Sequence, residues 1–190
     1  MKKMIVLLVA LMLAVSCVSF APAEEAAEPS SHIVVVYFSA TGTTRGVAEK
    51  LAEGLDADLY EIVPEEPYTD ADLNYNNPQS RTSIETDDPA CRPAIAGELP
   101  DLTPYDTVFI GYPIWWGDTP RIVSNFVEQV DLTDKTVAVF FTSGSSGLGR
   151  SMQHLEQQAG AGEWLEGRRF TSFTTVEELV NWAGDLGIEP

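Results

Sequence analysis

Ile33-Val34-Val35-Val36-Tyr37-Phe38-Ser39-Ala40-Thr41-Gly42-Thr43-Thr44 is the stretch that decides the fold. Its first half is an unbroken β-branched and aromatic run. A strand with no polar face belongs in the middle of a parallel sheet, covered on both sides. Its second half turns through Gly42 into a segment where Val47, Ala48, Leu51, Ala52 and Leu55 recur at helical spacing. Strand, hydroxyl-rich turn and helix together open a βαβ unit.

The alternation continues down the chain. Asp58 to Val63 reads as an edge-like second strand, and Thr107-Val108-Phe109-Ile110 as a third, closed by Gly111. Ile122, Val123, Phe126, Val127 and Val130 form a helical stripe, with Thr119 expected as its cap and Pro120 at the first helical position. Thr136-Val137-Ala138-Val139-Phe140-Phe141 is a fourth strand. Met152, Leu155 and Ala159 mark the next helix, stopped by Gly160. Trp164 to Phe170 is a weaker fifth strand. The capping box Thr175-x-x-Glu178 starts the last helix, whose Val176, Leu179, Val180, Ala183 and Leu186 face the core before Gly187 ends it. Five strands separated by helices predict an α/β fold, a doubly wound five-stranded parallel sheet with helices on both faces. Residues 64–104 break the rhythm. A segment this long without a period is often functional, and a short helix is expected inside it, the rest wrapping over the sheet edge or a ligand.

The domain occupies 32–190. Ahead of it, Lys2 and Lys3 precede the apolar run Met4 to Val15, which is too short for a comfortable membrane span and has the layout of a secretory signal. Leu13-Ala14-Val15-Ser16-Cys17 resembles the bacterial lipobox, although Ala14 stands where leucine is preferred. The expectation is a signal peptide over 1–16, lipidation of Cys17 and a Pro/Ala/Glu/Ser tether over 17–31. Cleavage after Ala23 is the rival. The protein is then exported and lipid-anchored at the outer face of the bacterial cell membrane, or secreted.

The 190 residues carry a net charge of −18, with 29 acidic side chains against 11 basic ones. Such a chain repels nucleic acid and anionic lipid, so a lipid anchor is the one expected membrane contact. It is drawn to basic partners at low salt. Cys17 and Cys91 make no disulfide framework, and Cys91 is expected to pack as a small apolar residue. His32 and His154 lack the spacing of metal ligands and are expected to be satisfied or solvent-facing.

In an open parallel sheet, ligands bind beyond the C-terminal strand ends, where strand order reverses. Three loops lie there. The first, Ser39 to Thr44, puts four hydroxyls and a glycine at a helix start. Backbone N–H groups point outward there and the helix dipole favours an anion. Arg45 is the one nearby cation, so the chemistry suits a phosphate monoester held by hydrogen bonds. The loop is neither a Walker loop nor G-x-G-x-x-G. Taken alone it also fits an ordinary Thr-rich helix start. The second loop, Gly111-Tyr112-Pro113-Ile114-Trp115-Trp116-Gly117-Asp118-Thr119-Pro120, holds two adjacent tryptophans that are hard to bury together. One is expected to pack into the core. A flat apolar ring system needs flat apolar walls, and stacking adds about 0.5–1.5 kcal/mol beyond area. The third, Thr142-Ser143-Gly144-Ser145-Ser146-Gly147-Leu148-Gly149, is by itself a flexible polar loop.

Ser39-x-Thr41-Gly42-x-Thr44 resembles the phosphate-binding loop of the flavodoxin family. With the other two loops following in order, the resemblance spans 32–188. It implies strand order 2-1-3-4-5 and one bound FMN. The phosphate would lie against Ser39, Ala40, Thr41, Gly42, Thr43 and Thr44. The ring would contact Pro113, Ile114, Trp115, Trp116 and Gly117, and its pyrimidine edge Thr142, Ser143, Gly144, Ser145 and Gly147. The third loop has no tyrosine, so the second ring face is open or covered by Tyr68 or Tyr75. The Pro-Ile-Trp-Trp-Gly loop and the long insert resemble a bacterial flavodoxin-like branch distinct from the small electron carriers. The implied function is electron transfer through FMN to a redox partner protein or small electron acceptor. An FMN-dependent NAD(P)H or quinone reductase is the alternative, and a flavin-free surface binding module the alternative of another class. No His, Tyr or Cys stands out as a proton donor and no second dinucleotide motif is present, which favours the carrier.

Overall fold

Val34, Val35 and Val36 are all buried, as a strand covered on both faces must be. The computed structural model describes residues 32–189. The expected signal peptide, Cys17 and tether fall in 1–31, outside the described residues. Strand β1 (Ile33–Tyr37) pairs in parallel with β2 (Asp58–Glu61) on one side and β3 (Thr107–Pro113) on the other. Strand β4 (Thr136–Thr142) follows β3, and β5 (Glu163–Trp164) lies beyond it, giving the order β2-β1-β3-β4-β5 with every pairing between strands parallel. The doubly wound order 2-1-3-4-5 is therefore present.

The two faces bury different residues because strand side chains alternate. Val34, Val36, Ile110, Tyr112, Val139 and Phe141 pack beneath α3 (Arg121–Val127) and α4 (Ser151–Ala159). Ile33, Val35, Tyr37, Phe109 and Phe140 pack against α1 (Thr43–Leu55) and α5 (Val176–Asp185). Leu51 and Leu55 of α1 are fully buried, each contributing about 1.5–3 kcal/mol of transfer free energy. At the start of α5, Thr175 Oγ1 accepts from Glu178 N at 3.2 Å while Thr175 N donates to Glu178 Oε2 at 2.8 Å, so the capping box forms as expected.

Some expectations fail in detail. The fifth strand is split into β5 (Glu163–Trp164) and β6 (Arg168–Phe170), which pair with opposite ends of β4. Gly167 marks the break: a Cβ there would lie 3.1 Å from Leu148 Cδ2 and 3.3 Å from the Val139 carbonyl. Nor does Thr119 cap α3. Pro120 keeps an extended backbone (ψ 137°), so it is the cap residue itself and the helix starts at Arg121. The Thr119 hydroxyl is buried, with no hydrogen-bond partner among the described residues. The helix ends at Val127, leaving Val130 packed against the core from the loop beyond.

The insert does hide a helix, α2 (Arg81–Asp87), and the rest wraps the β2 edge. Pro64 bridges Ile95, and Tyr60 Oη donates to the Glu98 carbonyl at 3.1 Å. Arg92 grips Glu128 of the α3 C-terminus with two bonds of 2.7 and 2.6 Å, which holds that carboxyl below its ordinary range. Cys91 is half-buried, and burial pushes its thiol up.

Several phenols keep their protons in the fold. Tyr105 donates to Asp58 at 2.9 Å, and burial with that carboxylate pushes it up to about 12. Burial raises Tyr112 and Tyr68 as well, with the Glu85 carboxylate adding to the effect at Tyr68. Folded pKa values above the unfolded value favour the fold fully below about pH 10, and that contribution is lost as pH rises through the folded values. Urea midpoints should therefore hold from pH 8 to 9 and fall progressively from about pH 10 to 12. A midpoint unchanged at pH 12 would contradict this.

Candidate functional site

Strands β1, β3 and β4 end side by side, and the three loops leave from that edge. Phe38 N donates to the Gly111 carbonyl at 2.9 Å and Ile114 N to the Thr142 carbonyl at 2.9 Å, so the sheet aligns the loops at their roots.

In the first loop, Gly42 takes a left-handed backbone (φ +84°) that a side chain would strain. Its N–H donates to Ser39 Oγ at 3.1 Å, and α1 begins at the next residue. Among the described residues, no hydrogen bond takes up the N–H of Thr43, Thr44 or Arg45. Those donors and the helix dipole make a positive cradle. Arg45 adds little to it, because its guanidinium sits 2.5 Å from the Glu61 carboxylate, which raises its pKa further. Thr41 and Thr43 are exposed, Ser39 and Ala40 half-buried, and Thr44 buried. The Thr44 hydroxyl lies 2.8 Å from that of Thr142, a bond that ties the first loop to the third.

The second loop is a tight hairpin. Trp115 N donates to the Asp118 carbonyl at 3.0 Å and Asp118 N to the Trp115 carbonyl at 2.9 Å, with Trp116 (φ +52°) and Gly117 (φ +78°) at the tip. Two successive positive φ angles are the mark of a type I′ turn. A bulky residue in that region costs about 1–2 kcal/mol, which the closing bonds offset. The tip divides the two indoles. Trp115 is half-buried and edge-on to Phe38 (5.4 Å between ring centroids) and to Tyr68 (5.1 Å), whereas Trp116 is 51% exposed. Pro113 and Ile114 are half-buried at the root.

Residues far apart in sequence fix this hairpin. His154 Nδ1 of α4 bonds Asp118 at 2.9 Å, and Thr119 N donates to the same carboxylate at 2.8 Å. His154 is thus satisfied, as expected. Arg121 is buried and donates to the Glu85 and Thr86 carbonyls, linking α3 to the insert. From the insert, Tyr68 donates to Glu85 at 2.7 Å while the Arg81 guanidinium lies 4.0 Å over its ring. Of the two tyrosines proposed to reach the site, Tyr68 arrives beside Trp115; Tyr75 is 71% exposed. Phe38, Asp118 and Arg121 are functional positions that the loop motifs do not single out, whereas Tyr68 is one the sequence names. Phe38 was visible as the last apolar residue of the first strand; Asp118 and Arg121 carry no local signal.

In the third loop, Thr142 is buried and the Ser143 hydroxyl donates to the Ser146 carbonyl. Gly144, Ser145 and Gly147 are exposed, and a Cβ on either glycine would meet nothing within 4 Å. Gly149, by contrast, sits so close to the Gly117 carbonyl that a Cβ would lie 2.7 Å from it. The three loops are therefore joined pairwise: Thr44 to Thr142, Phe38 to Trp115, and Gly149 to Gly117.

This donor set fits FMN. Unpaired backbone N–H groups suit its phosphate, a half-buried indole its ring, and open glycine backbone its polar rim. Among the described residues no group of His, Cys, Asp and Glu is arranged to hold a metal.

The chain is 45% identical to a candidate flavoprotein of Bacteroides eggerthii solved crystallographically, with a TM-score of 0.78 over 83% of this chain and 98% of that one. A second, from Bacteroides uniformis, is 41% identical with a TM-score of 0.76 over 80% and 97% of the two chains. A flavoprotein of Lactobacillus acidophilus, solved in complex with FMN, is 25% identical with a TM-score of 0.59 over 72% and 91%. No curated protein matches the chain. The flavodoxin family profile matches residues 32–186, and the chain belongs to that family.

Proposed function

We propose that this protein binds one FMN across the three loops and passes electrons through it to a redox partner. The carrying observation is the pairwise joining of the loops at the C-terminal ends of β1, β3 and β4. The FMN complex of the Lactobacillus acidophilus relative supports the choice of cofactor. The N–H groups opening α1, with Ser39 to Thr44 around them, hold the phosphate. Trp115 walls the ring, with Pro113, Ile114 and Gly117 framing it and Trp116 at its rim. The third loop, Thr142 to Gly147, lines the polar edge. Bound FMN supplies the redox chemistry, and the chain supplies position and electrostatics.

Electron transfer is favoured over a quinone or NAD(P)H reductase because the nearby proton-bearing groups are engaged. Tyr68 bonds Glu85, and His154 bonds Asp118. The net charge of −18 opposes added negative charge, so the potential should lie below that of free FMN. We place the mature protein outside the cell, anchored through Cys17, which Cys17→Ser should release into the soluble fraction.

The test is an absorbance titration of the purified protein with FMN, followed by potentiometry. The expected result is one equivalent bound with a perturbed flavin spectrum and a potential below free FMN. A protein that takes up no FMN contradicts the proposal, and a potential above free FMN contradicts its electrostatic part.

A further inference from the structure

We infer that the third-loop end of the molecule is a docking surface for a redox protein that presents carboxylates, engaged by Arg150 and Arg169 beside the exposed Trp116. The inference rests on the FMN reading and gives that site a class of partner, one opposite in charge to what the acidic chain as a whole suggests.

The cations of the domain are mostly consumed internally. Arg45, Lys50, Arg81, Arg92, Arg121 and Lys135 each donate to a carboxylate or a carbonyl. Arg168 sits 5.5 Å over the Phe170 ring. Arg150 and Arg169 differ. Both are exposed, and no described residue gives either an acceptor or a ring partner.

Their placement is specific. Arg169 pairs in register with Phe141, whose side chain belongs to the α3–α4 face, so Arg169 projects to that face. Arg150 stands at the start of α4 on the same face. Between them Leu148 packs against Gly167, whose Cβ would lie 3.1 Å from it. Gly149, next to Arg150, lies against the carbonyl of Gly117, next to Trp116. The patch thus runs from Arg169 across the third loop to Arg150 and Trp116, over the expected flavin edge.

Arginine and tryptophan are enriched at protein interfaces, and the guanidinium fork matches a carboxylate. The recesses lined by Leu102 and Lys135, and by His32 and Ile188, open at the N-terminal strand ends, away from this patch. An open patch of this kind suits a macromolecule. At about 0.15 M salt, charges further than ~8 Å are largely screened, so the two unpaired arginines count for more at this patch than the distant acidic residues that set the net charge.

The test reduces the FMN-loaded protein anaerobically and mixes it in 0.15 M salt with an acidic acceptor, ferric cytochrome b5, or a basic one, ferric cytochrome c. In Arg150→Gln/Arg169→Gln the rate to cytochrome b5 should fall about tenfold, and further in the Arg→Glu pair, with cytochrome c unchanged or faster and FMN affinity within about twofold. Equal changes for both acceptors, or none, overturn the inference; none is what arginines that merely guard a sheet edge would give. Ferricyanide is the third probe. If it alone slows, the arginines serve small anions and the docking inference falls. A wild-type protein that takes up no FMN overturns the functional reading itself, a distinct outcome.

Discussion

Thr43→Glu should weaken FMN binding at least about 100-fold while leaving riboflavin binding within about threefold. Thr43 is exposed and is the first residue of α1, immediately after Gly42. A carboxylate there lies among the unpaired N–H groups that the phosphate is expected to use. Two like charges about 4 Å apart cost roughly 4 kcal/mol at an effective dielectric near 20, and 2.7 kcal/mol already corresponds to 100-fold. The substitution does not endanger the fold. An acid in the first helical turn is worth about 0.3–1 kcal/mol of added stability, and this turn has none. The apoprotein should melt no lower than wild type. Fluorescence titration with both ligands checks the prediction. Equal losses for FMN and riboflavin would mean the loop shapes the site without holding the phosphate.

Gly111→Ala should lower stability by about 3 kcal/mol, or roughly 6–12 °C in thermal midpoint for a domain of this size. Gly111 pairs with Phe140 across β3 and β4, and a Cβ there would lie 2.1 Å from Phe140 Cζ. That ring is wholly buried, so it cannot swing into solvent. Either it leaves its rotamer or the strands separate, and both disturb the root of the second loop. Adding Phe140→Leu should recover part of the loss, since it removes the clashing atoms. Calorimetry on the single and double variants decides; an unchanged midpoint for Gly111→Ala would show that the core yields more than its packing implies.

Strand β1 and helix α1 were legible because their signals are local. A β-branched run, a glycine turn and a helical stripe each leave a mark within a few residues. That the loops after β1, β3 and β4 meet at one sheet edge followed from sheet topology. What stayed hidden depends on partners distant in sequence or on backbone that overrides residue preference. The hairpin at Trp116-Gly117 lacks the usual Asn-Gly or Asp-Gly signal, because the mutual bonds of Trp115 and Asp118 impose positive φ on a tryptophan. The arrival of Tyr68 at Trp115 depends on the Glu85 and Arg81 pair inside an aperiodic insert. The split between β5 and β6 is set by Leu148 filling the place of an absent side chain at Gly167. Pro120 reads as a first helical residue by preference, yet its extended ψ puts it just outside α3.

A crystal structure of the protein grown with FMN tests the central claim most directly. The phosphate should accept from the N–H groups of Thr43 and Thr44, with the ring lying against Trp115 within van der Waals contact. An FMN bound with its phosphate elsewhere, or its ring away from Trp115, would contradict it.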